Sequence, residues 1–379
     1  MKVSQPRRPV LVAMGTRPEV VKLFPVARAL ARSPTCRPVV CAAGQHRELL
    51  DQALEDLGLV PDLRLDVMGA GQAPVDVAAR LLAALPAVFD QVQPALVVVQ
   101  GDTTTALATG LAATYHGVPV AHVEAGLRTG DLKSPFPEEA NRRMLAALSS
   151  LHFAPTPLAR RNLLDEGVAD AYIWTTGNTG IDTLHHMLHA GARRHRPATG
   201  RCADRPQVLV TAHRRESIGA GMAAIAGAVL TLARRHPGVD FTWPIHLNPQ
   251  VQLALSELRT HTLANLHVRE PLPYREFVRR LAGATLVLTD SGGIQEEAPA
   301  LGVPVVVLGS TTAREEGLRH GVARTAELAH DAIVEAAEAA LDRRSHPPVE
   351  RTLYGDGRAA ERIATVLTEQ IGTVWAAAG

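Results

Sequence analysis

Asp290-Ser291-Gly292-Gly293-Ile294-Gln295-Glu296-Glu297-Ala298-Pro299 lies between two apolar runs, Ala284 to Thr289 and Val303 to Leu308. The runs are short, uncharged and rich in β-branched residues, as expected of strands buried on both faces of a parallel sheet. The decapeptide must therefore turn and enter a short helix that ends near Leu301-Gly302. Two glycines between strand and helix let backbone N–H groups approach an anion, and the helix N-terminus adds partial positive charge. A Ser-Gly-Gly turn also occurs for purely conformational reasons. The acidic pair behind it favours a ligand: carboxylates repel a phosphate but suit the hydroxyls of a ribose. The stretch reads as a grip for a nucleotide diphosphate.

Working outward, the same alternation fills the chain. In the second half, strand Gln207 to Thr211 delivers Ala212-His213-Arg214-Arg215-Glu216, a histidine and two cations suited to phosphate or sugar. Strand Val239 to Pro244 ends near His246. A strand near Leu266 to Val268 leads through Leu272-Pro273 into a helix carrying Phe277. After the loop from Gly309 to Glu316, two helices are expected to close the chain, the last from about Gly357 to Ala376.

In the first half, Pro9 to Met14 breaks at Gly15-Thr16-Arg17-Pro18-Glu19 and enters a helix, with Pro18 suited to its first turn. Arg17 thus sits at a strand's C-terminal end, where doubly wound sheets place ligand contacts, and Lys22 lies about one turn on. Strands follow at Pro38 to Ala42 and near Leu63 to Val67, then a helix from Val75 to Val92. Strand Ala95 to Val99 delivers Asp102, which reads equally as a helix N-cap and as a functional acid. Strand Pro119 to Val123 delivers Glu124, followed by two glycines within six residues. A rigid loop then leads into a helix opening on Glu138 and Glu139, acids that suit the helix dipole. Asp102, Glu124 and Glu138 projecting toward one sheet edge would raise one another's pKa and become candidates for proton transfer.

Composition sets the bounds. A chain of 379 residues with 46% hydrophobic content predicts two domains, and a net charge of +1 gives no footprint for nucleic acid or an anionic membrane. The boundaries expected are 1–189, a linker rich in Arg, Pro and Gly at 190–205, and 206–356, with the C-terminal helix packing back on the first domain. No apolar run approaches the ~20 residues of a membrane span, so a cytoplasmic protein is expected. Cys36, Cys41 and Cys202 fit neither a disulfide framework nor a zinc site. His185 and His189 share a helix face, but without an acidic or thiol partner nearby they read as a solvated helix end. The fold expected is α/β: two doubly wound, Rossmann-like domains facing a central cleft.

Seven motifs occur in one order. They are Gly-Thr-Arg-Pro-Glu at 15–19, Gly-Gln-His-Arg at 44–47, Gln-Gly-Asp-Thr-Thr-Thr at 100–105 and His-Val-Glu-Ala-Gly-Leu-Arg-Thr at 122–129. Pro-Glu-Glu-Ala-Asn-Arg at 137–142, Ala-His-Arg-Arg-Glu at 212–216 and the decapeptide complete the set. Together they resemble the non-hydrolysing UDP-N-acetylglucosamine 2-epimerases, over about residues 10 to 325. The resemblance implies the GT-B fold, a homodimer, a role in cell-envelope polysaccharide, and interconversion of UDP-N-acetylglucosamine and UDP-N-acetylmannosamine without metal or other cofactor. It implies elimination of UDP across C1 and C2 to a 2-acetamidoglucal, then re-addition. By motif, Asp102, Glu124 and Glu138 are the acid/base set, with Lys22 supporting them. Arg17, His213, Ser291, Gly292 and Gly293 grip the diphosphate, Glu297 the ribose, and the Phe277 backbone the uracil. Gln45, Arg214 and His246 match a candidate activator site.

One departure stands out. Where the family usually reads Arg-Asp-Thr-Thr-Glu-Arg-Pro-Glu, this chain has Gly309-Ser310-Thr311-Thr312-Ala313-Arg314-Glu315-Glu316. The departure makes a 2-epimerase of a modified UDP-2-acetamido sugar one alternative. The others are a hydrolysing epimerase, which would use a similar site, and a GT-B glycosyltransferase, which would share fold and nucleotide grip. A catalytically silent UDP-sugar sensor would have lost the acids that this chain keeps.

Overall fold

The structure is a computed structural model that describes residues 6–44, 47–67, 72–192, 205–214, 217–245, 249–256, 258, 263–310, 312–342 and 350–373. The chain divides into two compact units. The first comprises Met1–Thr183 and Tyr354–Gly379, the second Leu184–Leu353. Most of the expected linker at 190–205 lies outside the described residues.

In the first unit, strands β1 (Arg8–Met14), β2 (Cys36–Ala42), β3 (Leu63–Arg64), β4 (Leu96–Gln100), β5 (Val120–Val123), β6 (Leu151–Ala154) and β7 (Ile173–Thr175) form one sheet, ordered 3-2-1-4-5-6-7. Every pairing is parallel. Parallel strands need crossovers, which helices α1 (Arg17–Ala31), α2 (Arg47–Leu57), α3 (Pro74–Val92), α4 (Thr104–Tyr115), α5 (Glu138–Leu148) and α6 (Pro157–Asp165) supply. α7 (Thr179–Ala192) contains the point at which the two units divide. All five residues of β4 are buried, and each Val or Leu so buried contributes about 1.5–3 kcal/mol relative to exposure. Pro38 is tolerated inside β2 because β3 pairs only with Cys41 and Ala42, leaving that side of Pro38 without a ladder partner.

The second unit repeats the plan. β8 (Gln207–Thr211), β9 (Asp240–Pro244), β10 (Leu266–Arg269), β11 (Leu286–Thr289), β12 (Val305–Leu308) and β13 (Ala323–Ala326) form an all-parallel sheet ordered 10-9-8-11-12-13. Its helices are α8 (Ala220–Arg235), α9 (Pro249–Ala254), α10 (Tyr274–Ala282), α11 (Gly292–Ala300), α12 (Glu315–Arg319) and α13 (His330–Leu341). Trp243, Phe241 and Ile225 are fully buried in its core. The sequence reading passed over β13 and α12. Ala323-Arg324-Thr325-Ala326 is short, carries a charge, and pairs on one side only, so it lacks the continuous apolar run that marked the other strands.

α14 (Ala359–Thr373) returns to the first unit and packs on α1. Its first turn is capped from α7, the Asp182 carboxylate accepting from Ala359 N at 3.2 Å and Ala360 N at 2.9 Å. Near its other end, Arg8 Nη1 donates to the Ile371 carbonyl at 3.2 Å.

Both sheets reverse strand order once, between β1 and β4 and between β8 and β11. Ligands of doubly wound sheets bind outside the strand C-termini at such a reversal. The loops found there are Gly15-Thr16 and Gly101-Thr103 in the first unit, and Ala212-Arg214 and Asp290-Ser291 in the second. Four of the quoted motifs thus fall on the two switch points.

Candidate active site

In the first unit, β5 ends at Glu124, whose φ of +64° is left-handed, a costly conformation for a residue with a Cβ. The turn directs the carboxylate inward. Its Oε2 is ion-paired with Lys22 Nζ and accepts from Asn178 Nδ2 at 2.9 Å. Lys22 is 6% exposed and Glu124 7%, so the pair is held away from bulk water.

Asp102 sits on the turn after β4 and is not the cap of α4. That place is taken by Thr103, whose Oγ1 accepts from Ala106 N at 3.0 Å. The Asp102 carboxylate is instead ion-paired with Arg142 of α5, and its main-chain carbonyl accepts from Asn141 Nδ2 at 2.8 Å. Arg142 also donates to Glu139 Oε2 at 2.8 Å. Glu139 is fully buried and accepts from Thr129 N at 3.0 Å and Gly130 N at 3.4 Å. The first turn of α5 thereby ties the Asp102 turn to the loop that follows Glu124. Glu138 opens the helix, half-buried beside this network.

The switch point has its own clamp. Glu19 Oε2 accepts from Gly15 N at 3.0 Å and Thr16 Oγ1 at 2.8 Å, while its Oε1 accepts from Thr103 Oγ1 at 2.7 Å. Burial pushes its carboxyl up to about 7 despite these donors. Gly15 must be glycine, since a Cβ there would lie 2.3 Å from Thr105 Oγ1 and 2.6 Å from the Ala43 carbonyl oxygen. Behind the turn, His122 Nε2 donates to the Gly101 carbonyl at 2.7 Å, and burial lowers its pKa to about 4, keeping the ring neutral. Arg17, at the start of α1, is half-buried.

In the second unit, Ser291 is the N-cap residue of α11, with no side-chain cap bond, so the first N–H groups of the helix include those of Gly292 and Gly293. A Cβ on Gly293 would meet nothing within 4 Å, leaving room above the helix end. A Cβ on Gly292 would lie 2.6 Å from Arg314 Nη1, so the Arg314 guanidinium packs directly on this backbone. Arg314 is held by Glu296, with Nε to Oε1 at 2.9 Å. Tyr274 OH donates to Glu297 Oε1 at 3.2 Å, fixing that carboxylate. The Phe277 N–H donates to the Pro273 carbonyl at 3.0 Å, so it is already engaged in the first turn of α10. His213 and Arg214 follow β8, and Asp290 Oδ2 accepts from both their N–H groups at 2.9 Å. Gln45 and His246 lie outside the described residues. In the departing loop, Gly309 has φ +144° and donates to the Ala326 carbonyl at 2.8 Å; Thr311 lies outside the described residues.

Among the described residues there is no cluster of three or more His, Cys, Asp or Glu that could hold a metal ion, and no helix long and apolar enough to cross a membrane.

The family model described as UDP-N-acetylglucosamine 2-epimerase matches residues 28–368. The chain belongs to the UDP-N-acetylglucosamine 2-epimerase family. It is 43% identical over 368 residues to the UDP-N-acetylglucosamine 2-epimerase of Escherichia coli K12, covering 94% of this chain and 98% of that protein. The crystal structure of the Neisseria meningitidis UDP-GlcNAc 2-epimerase bound to UDP-GlcNAc matches with TM-score 0.90 at 38% identity, over 95% of this chain and 100% of that one. The glycosyltransferase SnogD of Streptomyces nogalater matches with TM-score 0.59 at 18% identity, over 99% of this chain and 100% of that one. That distant likeness is one of fold alone, and the fold is GT-B.

Sequence reasoning named Lys22, Asp102 and Glu124 and passed over the groups that hold them. Asn178, Arg142 and Glu19 were assigned nothing, Glu139 was read only as an acid suiting the helix dipole, and Asp290 headed the decapeptide without a role. Glu19, Glu139 and Arg142 did stand inside the quoted motifs as charged residues at buried helix starts, which was the signal available.

Proposed function

We propose that the protein inverts C2 of UDP-N-acetylglucosamine, giving UDP-N-acetylmannosamine, by elimination and re-addition of UDP. The observation that carries this is a pair of carboxylates, Asp102 and Glu124, each tied to its own buried cation on neighbouring strand ends of one sheet. The C2 proton of the resting sugar is not acidic. It becomes so as the C1–O bond breaks and positive charge develops on the ring. A carboxylate of the set Asp102, Glu124 and Glu138 then takes that proton as the C1–O bonding pair leaves with UDP, giving the 2-acetamidoglucal. A proton returned to the opposite face of C2, with UDP re-adding at C1, completes inversion.

The leaving diphosphate needs positive charge throughout, and in this reading Arg17, His213 and the N–H groups at the start of α11 provide it, with Glu297 on the ribose. Lys22 keeps Glu124 ionised and oriented. The reaction needs no added cofactor and consumes no water, which separates it from a hydrolysing epimerase.

The test is one NMR time course with UDP-N-acetylglucosamine in D₂O and nothing else added. The expected result is UDP-N-acetylmannosamine carrying deuterium at C2. Product that keeps its original C2 hydrogen would overturn the elimination route, and accumulation of free N-acetylmannosamine with UDP would make the enzyme hydrolysing. Because Gly309-Ser310 replaces an Arg-Asp pair common in the family, kcat/KM should also be compared with a UDP-2-acetamido-6-deoxy sugar. A preference for the deoxy sugar would move the assignment to a modified substrate.

A further inference from the structure

We infer that Asp290 is a positioning residue for His213, fixing the imidazole with Nδ1–H toward its own carboxylate so that Nε2 is the edge presented to the diphosphate. This rests on the epimerase reading and adds to it a residue to which that reading gave no role. Asp290 is 2% exposed at the end of β11, beside the switch point of the second sheet. Its Oδ2 accepts from His213 N, Arg214 N and Ser217 Oγ, each at 2.9 Å, so one oxygen organises the whole turn after β8. The other oxygen, Oδ1, lies 3.7 Å from His213 Nδ1, while the His213 side chain is 38% exposed. The half-exposed ring thus has its Nδ1 edge set against a buried carboxylate.

The division between the two oxygens matters chemically. A carboxylate facing Nδ1 favours a proton there, as it does in other carboxylate–histidine pairs. With Nδ1 protonated, a second proton can reside only on Nε2, where the imidazolium donates to a phosphate oxygen. As the C1–O bond breaks, charge accumulates on that diphosphate, and the Asp290 carboxylate stabilises the cation that meets it.

The substitution Asp290→Asn separates this role from the turn. The amide oxygen can still accept from His213 N, Arg214 N and Ser217 Oγ, while its NH₂ now faces Nδ1 and requires a bare nitrogen there. Epimerisation kcat should fall ~30-fold or more in Asp290→Asn, yet change less than ~3-fold when Asn is introduced into a His213→Asn background, because the two residues act as one unit. Equal losses in both backgrounds, or an undiminished kcat, would overturn the inference and leave Asp290 a structural acceptor. A second measurement needs no Asp290 variant: ¹⁵N-histidine spectra of the UDP-bound wild-type protein, with His213→Asn to assign the resonance. A protonated Nδ1 supports the inference, and a bare Nδ1 overturns it. If the wild-type protein fails to epimerise, the epimerase reading falls by itself, and the cycle is then read on UDP affinity by calorimetry with the same two outcomes.

Discussion

Replacing Lys22 by methionine keeps the reach of the side chain and removes its charge. Both members of the Lys22–Glu124 pair are almost wholly buried, so solvent screening does little to soften the loss. Removing one partner of a buried pair costs about 3–5 kcal/mol, because the other charge is left in a poor solvent. Asn178 still donates to Glu124 at 2.9 Å, and the carboxyl can relieve itself by taking a proton, which places Lys22→Met near the lower end, about 3 kcal/mol. At about 2–4 °C per kcal/mol for a unit of this size, the first unit's melting transition should fall by roughly 6–12 °C in calorimetry. The double variant Lys22→Met/Glu124→Gln removes both charges and should be less destabilised than Lys22→Met alone. Two results would refute the reasoning: a Lys22→Met transition within about 2 °C of wild type, or a double variant as unstable as the two single losses added together.

Amide substitution of the proposed acids, Asp102→Asn, Glu124→Gln or Glu138→Gln, should lower kcat by ~10²-fold or more while UDP affinity, measured by calorimetry, stays within ~3-fold. Glu19 is raised from 4.5 to about 7 by burial, so between those values the folded protein binds more protons than the unfolded chain, and stability falls as pH rises through this window. The span corresponds to about 3 kcal/mol, and Glu19→Gln should flatten that decline in denaturant titrations between pH 4.5 and 7; an unchanged slope would mean that Glu19 titrates normally. Gly15→Ala puts a methyl group 2.6 Å from the Ala43 carbonyl, against backbone that cannot swing aside, and should cost about 1–3 kcal/mol in urea unfolding.

The alternation of strand and helix was legible because it is local. β4 is an unbroken buried run, and the motifs at 15–19, 100–105, 212–216 and 290–299 lie at the C-terminal ends of strands, where period and punctuation alone place them. The partners were not legible for the opposite reason. Lys22 and Glu124 are 102 positions apart, Asn178 and Glu124 are 54, and Asp290 meets the His213 N–H across 77. Nothing in a local pattern couples such pairs; the order of strands does, by setting β1 beside β4 and β8 beside β11. Glu139 shows the same limit within one helix turn. Beside Glu138 it reads as another dipole-compensating acid, and only the folded chain buries it between Arg142 and the Thr129–Gly130 amides.

The cap that Asp182 places on α14 bears on how the chain assembles during synthesis. The first unit is discontinuous: it leaves at Thr183 and resumes at Tyr354, so all of Leu184–Leu353 emerges from the ribosome before α14 exists. Until then, α1 packs on α2 and the sheet but lacks α14, and the Asp182 carboxylate lacks the two α14 amides that donate to it. The second unit, continuous in sequence, can complete its sheet while the first waits as an open intermediate with an apolar helix face uncovered. Vectorial folding of this chain therefore ends where it began, and the surface left open to chaperone capture is the part of α1 on which α14 packs.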